Sequence, residues 1–137
     1  MTKAQRGKYT PRHEKPHARI YDHWRRSAAW RSLTAQAKAL YVEIAAQYRP
    51  DKENHFPLSN AEAARLIPCA PRTALKAIDQ LVERGFFSLE RPGRSWGPSS
   101  SRCRIVSVGI FETETREEDR DRPMKWKNPD GSKSGIQ

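Results

Sequence analysis

Cysteine is scarce: Cys69 and Cys103 are the only two in 137 residues. Two thiols cannot build the disulfide framework of a small secreted domain, so a reducing compartment and a cytoplasmic location are expected. Long hydrophobic runs are missing too. No stretch approaches the ~18 apolar residues of a membrane span. The amino terminus lacks the apolar core of a secretory signal, so no membrane partner is expected. The phosphate-cradling Gly-x-x-x-x-Gly-Lys-Ser/Thr loop and the dinucleotide Gly-x-Gly-x-x-Gly turn are absent. Carboxylates are scattered through the chain, and no pattern assembles a nucleophile with a base. Neither enzymatic activity nor a cofactor is expected.

Positive charge is plentiful. There are 26 Lys and Arg against 16 Asp and Glu, for a net charge of +10. The length suits one domain. Apolar residues at 36%, with four each of Trp, Tyr and Phe, allow a modest core and argue against general disorder. The surplus is uneven: +6 over 1–26, +2 over 27–91, +3 over 92–111 (which hold no acid) and −1 over 112–137. Such a surplus favours phosphate-rich partners through counterion release; a merely solubilising surface is the plain alternative.

Residues 1–16 are polar, basic and broken by Pro11 and Pro16, so 1–18 is expected to be a flexible basic arm. Ser27 can cap a short helix reaching Leu33. Leu33, Ala37, Leu40, Tyr41, Ile44 and Tyr48 then fall on one stripe, which predicts a helix over 34–48, capped by Thr34 and stopped by Pro50. His55 to Leu58 can form a very short strand, with Pro57 restricting it to an edge. Ser59 with Glu62 makes a capping box for a helix that Pro68 ends near Ile67. Pro71 suits the first turn of the next helix, whose buried stripe is Ala74, Ala77, Ile78, Leu81 and Val82, and Gly85 ends it. Two strands, 86–91 and 102–108, flank a Pro-, Gly- and Ser-rich loop and predict a hairpin. The segment 112–137 is charged and poor in apolar residues, and is expected to be a disordered tail.

The segment LSNAEAARLIPCAPRTALKAIDQLVERGFF, followed by a basic hairpin, resembles the winged helix-turn-helix proteins of bacteria and their phages or plasmids. The resemblance covers about 27–108. It implies a mainly α fold with a small β-hairpin, a three-helix core plus wing over 19–111, and binding to double-stranded DNA. Sequence-specific binding in transcriptional control or replication initiation follows from the same likeness, as does nucleoid association. The helix at 71–84 would enter the major groove, presenting Arg72, Thr73, Lys76 and Gln80 opposite its apolar stripe. The wing would offer Arg91, Arg94, Arg102 and Arg104, with Trp96 near its tip. Lys8, Arg12, Lys15, Arg19, Arg25 and Arg26 of the arm would add affinity without sequence preference. Ala70 stands where such helices often carry a capping Ser or Thr, and Pro68 where the turn often holds Gly.

Each feature has a plainer reading: a solvated helix face, a Trp folded on its own hairpin, an unstructured terminus. His13-Glu14-Lys15-Pro16-His17 spells the zinc-protease pattern H-E-x-x-H, but Pro16 costs a helix ~3 kcal/mol where both ligands must align. Neither cysteine belongs to a C-x-x-C pair, so no metal is expected. A protein-interaction module and an RNA-binding protein are the alternatives to DNA binding. A monomer and a homodimer are equally consistent with the sequence.

Overall fold

Hydroxyl caps set where the first helices begin. In the computed structural model, which describes residues 17–49, 52–94, 96–97, 102–109 and 122–129, α1 (Asp22–Arg25) and α2 (Ala28–Arg31) are separated by Ser27. The Ser27 Oγ donates to the Trp24 carbonyl at 2.6 Å and accepts from the Trp30 N–H at 3.1 Å. That double use of one hydroxyl ends one helix and starts the next: α2 is the expected Ser27-capped helix, ending at Arg31 and not Leu33, and α1 is an additional one before it. Thr34 caps α3 (Ala35–Ala45) by accepting from the Ala37 N–H at 3.2 Å. The helix stops three residues earlier than its apolar stripe suggests. Arg49 Nη1 donates to the carbonyls of Ala46 and Tyr48, both at 2.7 Å, satisfying acceptors left at the helix end.

Strand β1 (Phe56–Pro57) leads to α4 (Asn60–Leu66), capped by Ser59 accepting from the Glu62 N–H at 3.0 Å. α5 (Pro71–Glu83) has Pro71 in its first turn and no side-chain cap from Ala70. Gly85, at φ +87°, turns the chain into β2 (Phe87–Arg91); β3 (Ile105–Val108) returns beside it. The three strands form an antiparallel sheet in the order β1-β3-β2. Phe56 and Leu89 flank Val106 from opposite sides, and the register shifts between Leu89 and Arg91. Pro57 sits on an edge strand, where its missing N–H leaves no ladder bond unmade.

The described residues are thus mainly helical with a small three-stranded sheet. α5 packs across α3 and α4 and against β2. Its buried stripe is Ala74, Ala77, Ile78 and Leu81, with Val82 half-buried. Phe86 stands at the middle of the core, edge-on to Trp24, Trp30 and Tyr41 at centroid distances of 5.6, 5.4 and 5.8 Å. Fixed edge-to-face packing of this kind adds to the area term and holds one arrangement.

The expected disordered tail is corrected over 122–129. There α6 (Arg122–Lys125) packs on α2, with Pro123 buried and Trp126 against the core. Its apolar residues are few but well placed. Gly85 makes the seat, since a Cβ there would stand 2.5 Å from the Arg122 Cβ. Arg122 Nη1 donates to Ser88 Oγ at 3.3 Å, and the Arg84 guanidinium lies 4.8 Å from the centre of the Trp126 ring. The domain therefore extends beyond residue 111. Among the described residues, no helix is long and apolar enough to cross a membrane.

Candidate nucleic-acid interface

α5 carries the first group of candidate residues. Its buried stripe fixes its rotation, and Arg72 and Lys76 consequently emerge exposed, one helical turn apart. Thr73 is half-buried between them. Farther along, Asp79 and Glu83 are exposed, so positive charge is confined to the amino-terminal half of the helix.

Gln80 has a different environment from the other three. Its Oε1 accepts from the Thr34 N–H at 3.1 Å and from Thr34 Oγ1 at 3.3 Å. The side chain thereby ties the middle of α5 to the start of α3. A bonded acceptor here positions the helix, and Gln80 is best described as a structural neighbour of Arg72, Thr73 and Lys76.

The hairpin arginines divide in two. Arg91 and Arg104 are half-buried. Arg91 Nη2 donates to the Cys103 carbonyl at 2.8 Å, and Arg104 Nη1 to the Leu58 carbonyl at 3.0 Å. The Leu58 N–H in turn donates to the Arg104 carbonyl at 2.9 Å, so the hairpin is pinned to the chain entering α4. Arg94 and Arg102 are exposed, and the Arg94 N–H donates to the Arg102 carbonyl at 2.9 Å. The Arg94 guanidinium lies 4.7 Å from the centre of the Trp96 ring, and Trp96 is exposed.

Of the arm, Lys8, Arg12 and Lys15 lie outside the described residues. Arg19 is exposed, and its carbonyl accepts from the Tyr41 hydroxyl at 3.2 Å. Arg25 and Arg26 both pair with Asp22, at 2.8 and 3.1 Å. The Arg25 hydrogen bond holds the Asp22 carboxyl below the usual carboxylate range, helped by the nearby Arg26 charge. The two arginines are therefore partly neutralised by their own helix.

Several contributors gave little signal in the sequence. Asn54, inside a stretch that reads as loop, is buried. Its amide bonds both polar backbone groups of Val108. Asn60 and Cys103 line a cleft beside the hairpin. Gly93-Arg94-Ser95-Trp96-Gly97 spells the Gly-x-Ser-x-Gly pattern of a nucleophile elbow, which needs a strand running directly into a helix. In the sequence it falls between β2 and β3, which pair antiparallel, and its Ser95 lies outside the described residues. Among the described residues, no three His, Cys, Asp or Glu side chains are grouped to hold a metal ion.

Comparisons with family models, curated proteins and solved structures returned no match to this chain.

Proposed function

We propose that the chain is a winged helix-turn-helix protein that binds double-stranded DNA, with α5 in the major groove and the β2–β3 hairpin as the wing. The observation that carries this reading is the exposure of Arg72 and Lys76 on the face of α5 opposite its buried stripe. The element order supports it: helix, short strand, two helices in tandem, then a hairpin whose second strand lies centrally in the sheet. A helix of 13 residues is about 20 Å long, enough to lie along a groove. Arg72 and Lys76 would meet guanine edges or phosphates, Thr73 a phosphate or a thymine methyl, and Arg94 and Arg102 the flanking backbone.

The biological role proposed is sequence-specific control of transcription or of replication initiation in the cytoplasm, by binding and not by catalysis. Selection of bound sequences from random duplexes tests it, because a recovered motif gives both specificity and symmetry. A palindromic motif would mean a two-fold dimer, and an asymmetric one a monomer. On the recovered duplex, Arg72→Ala and Lys76→Ala are each expected to weaken binding by ~1–3 kcal/mol for a lost base contact. Unchanged affinity in both variants would remove α5 from the interface. Selection that enriches nothing, with structured RNA or an acidic protein competing better than duplex DNA, would remove DNA as the partner.

A further inference from the structure

We propose that the outer face of α3 is the contact surface for a second copy of this chain, the two α3 helices packing side by side and parallel. α3 is apolar on more than its inner face. Of its eleven residues only Gln36, Lys38 and Glu43 carry charged or amide side chains, and a helix apolar all round is normally covered all round. Its inner face, Ala37, Leu40, Tyr41, Ile44 and Ala45, is buried in the core. On the outer face Ala35, Ala39, Val42 and Ala46 recur at intervals of four, three and four residues, the spacing of the a and d seam along which two helices pack. Ala35, Ala39 and Val42 are exposed, Val42 by 39%, and Ala46 is half-buried. Beside this stripe an open groove runs between α3 and the end of α4, with Ala39 and Glu43 on one bank and Leu66 and Pro68 on the other.

Charge decides the occupant and its direction. In the register of the seam Ala39 and Ala46 take a positions and Ala35 and Val42 take d positions, so Lys38 stands at g and Glu43 at e. In a parallel pair the g residue of one helix lies beside the e residue roughly five places on in the other, and Lys38 and Glu43 are five places apart. Lys38 of each copy therefore meets Glu43 of the other, and a single two-fold axis makes both pairs. An antiparallel pair would set lysine beside lysine and glutamate beside glutamate. Among the described residues neither Lys38 nor Glu43 has an ion pair within its own chain. The aliphatic stem of the incoming lysine covers Leu66 and Pro68 in the groove while its ammonium reaches Glu43. The alanines allow the two helix axes to approach to about 8 Å. A seam of about three turns buries less than a standard interface, so the dimer is weak, with a Kd of about 10–100 μM. Arg72, Thr73 and Lys76 lie outside this surface, and the dimer does not rest on the DNA contact proposed above.

The full chain, free of DNA, is followed by sedimentation equilibrium from about 1 to about 500 μM. A reversible monomer–dimer equilibrium is expected. Val42→Glu, at an exposed position, is expected to leave only monomer over that range. Lys38→Glu and Glu43→Lys are each expected to raise the dissociation constant about tenfold, because each sets like charges together in both pairs. The two changes in one chain are expected to restore the parent value, since each pair then holds opposite charges in exchanged places; a damaged fold would show no such recovery. Carbodiimide coupling in a mixture of heavy-isotope and ordinary chains identifies the contact, with Lys38 of one isotope expected to join Glu43 of the other. A monomer at about 500 μM overturns the proposal, as does a dimer that Val42→Glu leaves intact, or a double variant no tighter than the single ones. Coupling of Glu43 to Lys3, Lys8 or Lys15 of the same chain overturns it too, because the groove would then hold the chain's own arm. Duplex affinity of Arg72→Ala and Lys76→Ala is measured separately, so failure of one assignment is distinguishable from failure of the other.

Discussion

Val108 lies beyond the reach of β1, whose pairing to β3 starts at Phe56 and Val106, yet both of its backbone groups are satisfied by one side chain. Asn54 Oδ1 accepts from the Val108 N–H at 2.9 Å, and Asn54 Nδ2 donates to its carbonyl at 2.8 Å. The amide thus continues a ladder that the two-residue strand cannot. Asn54→Ala is expected to lower stability by about 2–4 kcal/mol, because two backbone groups would be left buried and unpaired; a denaturation midpoint within error of the parent would contradict this. Phe86→Ala is expected to cost about 3–5 kcal/mol, since no neighbouring ring can move into the space it leaves among Trp24, Trp30 and Tyr41. Tyr41 gives a pH signature. Burial, with a smaller contribution from Tyr21, pushes its phenol well above the ordinary 10.0. The unfolded chain then ionises this group first as the solution becomes alkaline. The stability that the neutral phenol contributes is complete below pH 10.0 and is lost progressively above it. Tyr41→Phe should flatten that alkaline decline, as followed by thermal unfolding across pH.

Among the elements, α3 and α5 were legible because each combines a start signal with a periodic apolar stripe, and α4 because a capping box opens it and Pro68 closes it. The edge position of Pro57, the Gly85 turn and the hairpin were equally legible from turn and strand chemistry. The ends were less so. Nothing in the stripe of α3 shows that Arg49 will bond its last carbonyls, and nothing in Ser27 alone shows that it serves two helices. The candidate interface was readable where rotation of a helix decides exposure, as at Arg72 and Lys76. It was not readable where tertiary partners decide, as for Gln80 with Thr34 or Arg104 with Leu58. α6 was missed because Pro123 and Trp126 are too few for a periodic signal, and the seat they occupy exists only after α5 and β2 have met at Gly85. Trp126→Ala is expected to cost about 1–3 kcal/mol through lost packing and the lost Arg84 contact, read as a lower denaturant midpoint with an unchanged slope. A midpoint equal to the parent's would mean that α6 adds nothing to the domain's stability.

Over the whole molecule, the described arginines and lysines differ in how far their charge is engaged by the protein itself. Arg72, Lys76 and Arg102 are exposed, and Arg94 is exposed with its guanidinium over Trp96; Arg25 and Arg26 are exposed too but share Asp22, and Arg91 and Arg104 are half-buried and bond backbone carbonyls. Removal of residues 1–16, which hold five Lys or Arg, is expected to flatten the dependence of log affinity for duplex DNA on log salt. An identical slope would mean that those residues release no counterions. The backbone path has a practical consequence as well. Gly109 and Arg122 both rest against Gly85, the former so closely that a Cβ would stand 3.3 Å from the Gly85 carbonyl oxygen. Gly109 and Arg122 therefore stand beside one point of the fold, so an insertion between them joins two ends that already meet. Lengthening a link whose two ends already meet costs little closure entropy, on the order of 0.6 kcal/mol per doubling. A reporter peptide spliced between Gly109 and Arg122 should travel with the protein and leave its melting behaviour unaltered.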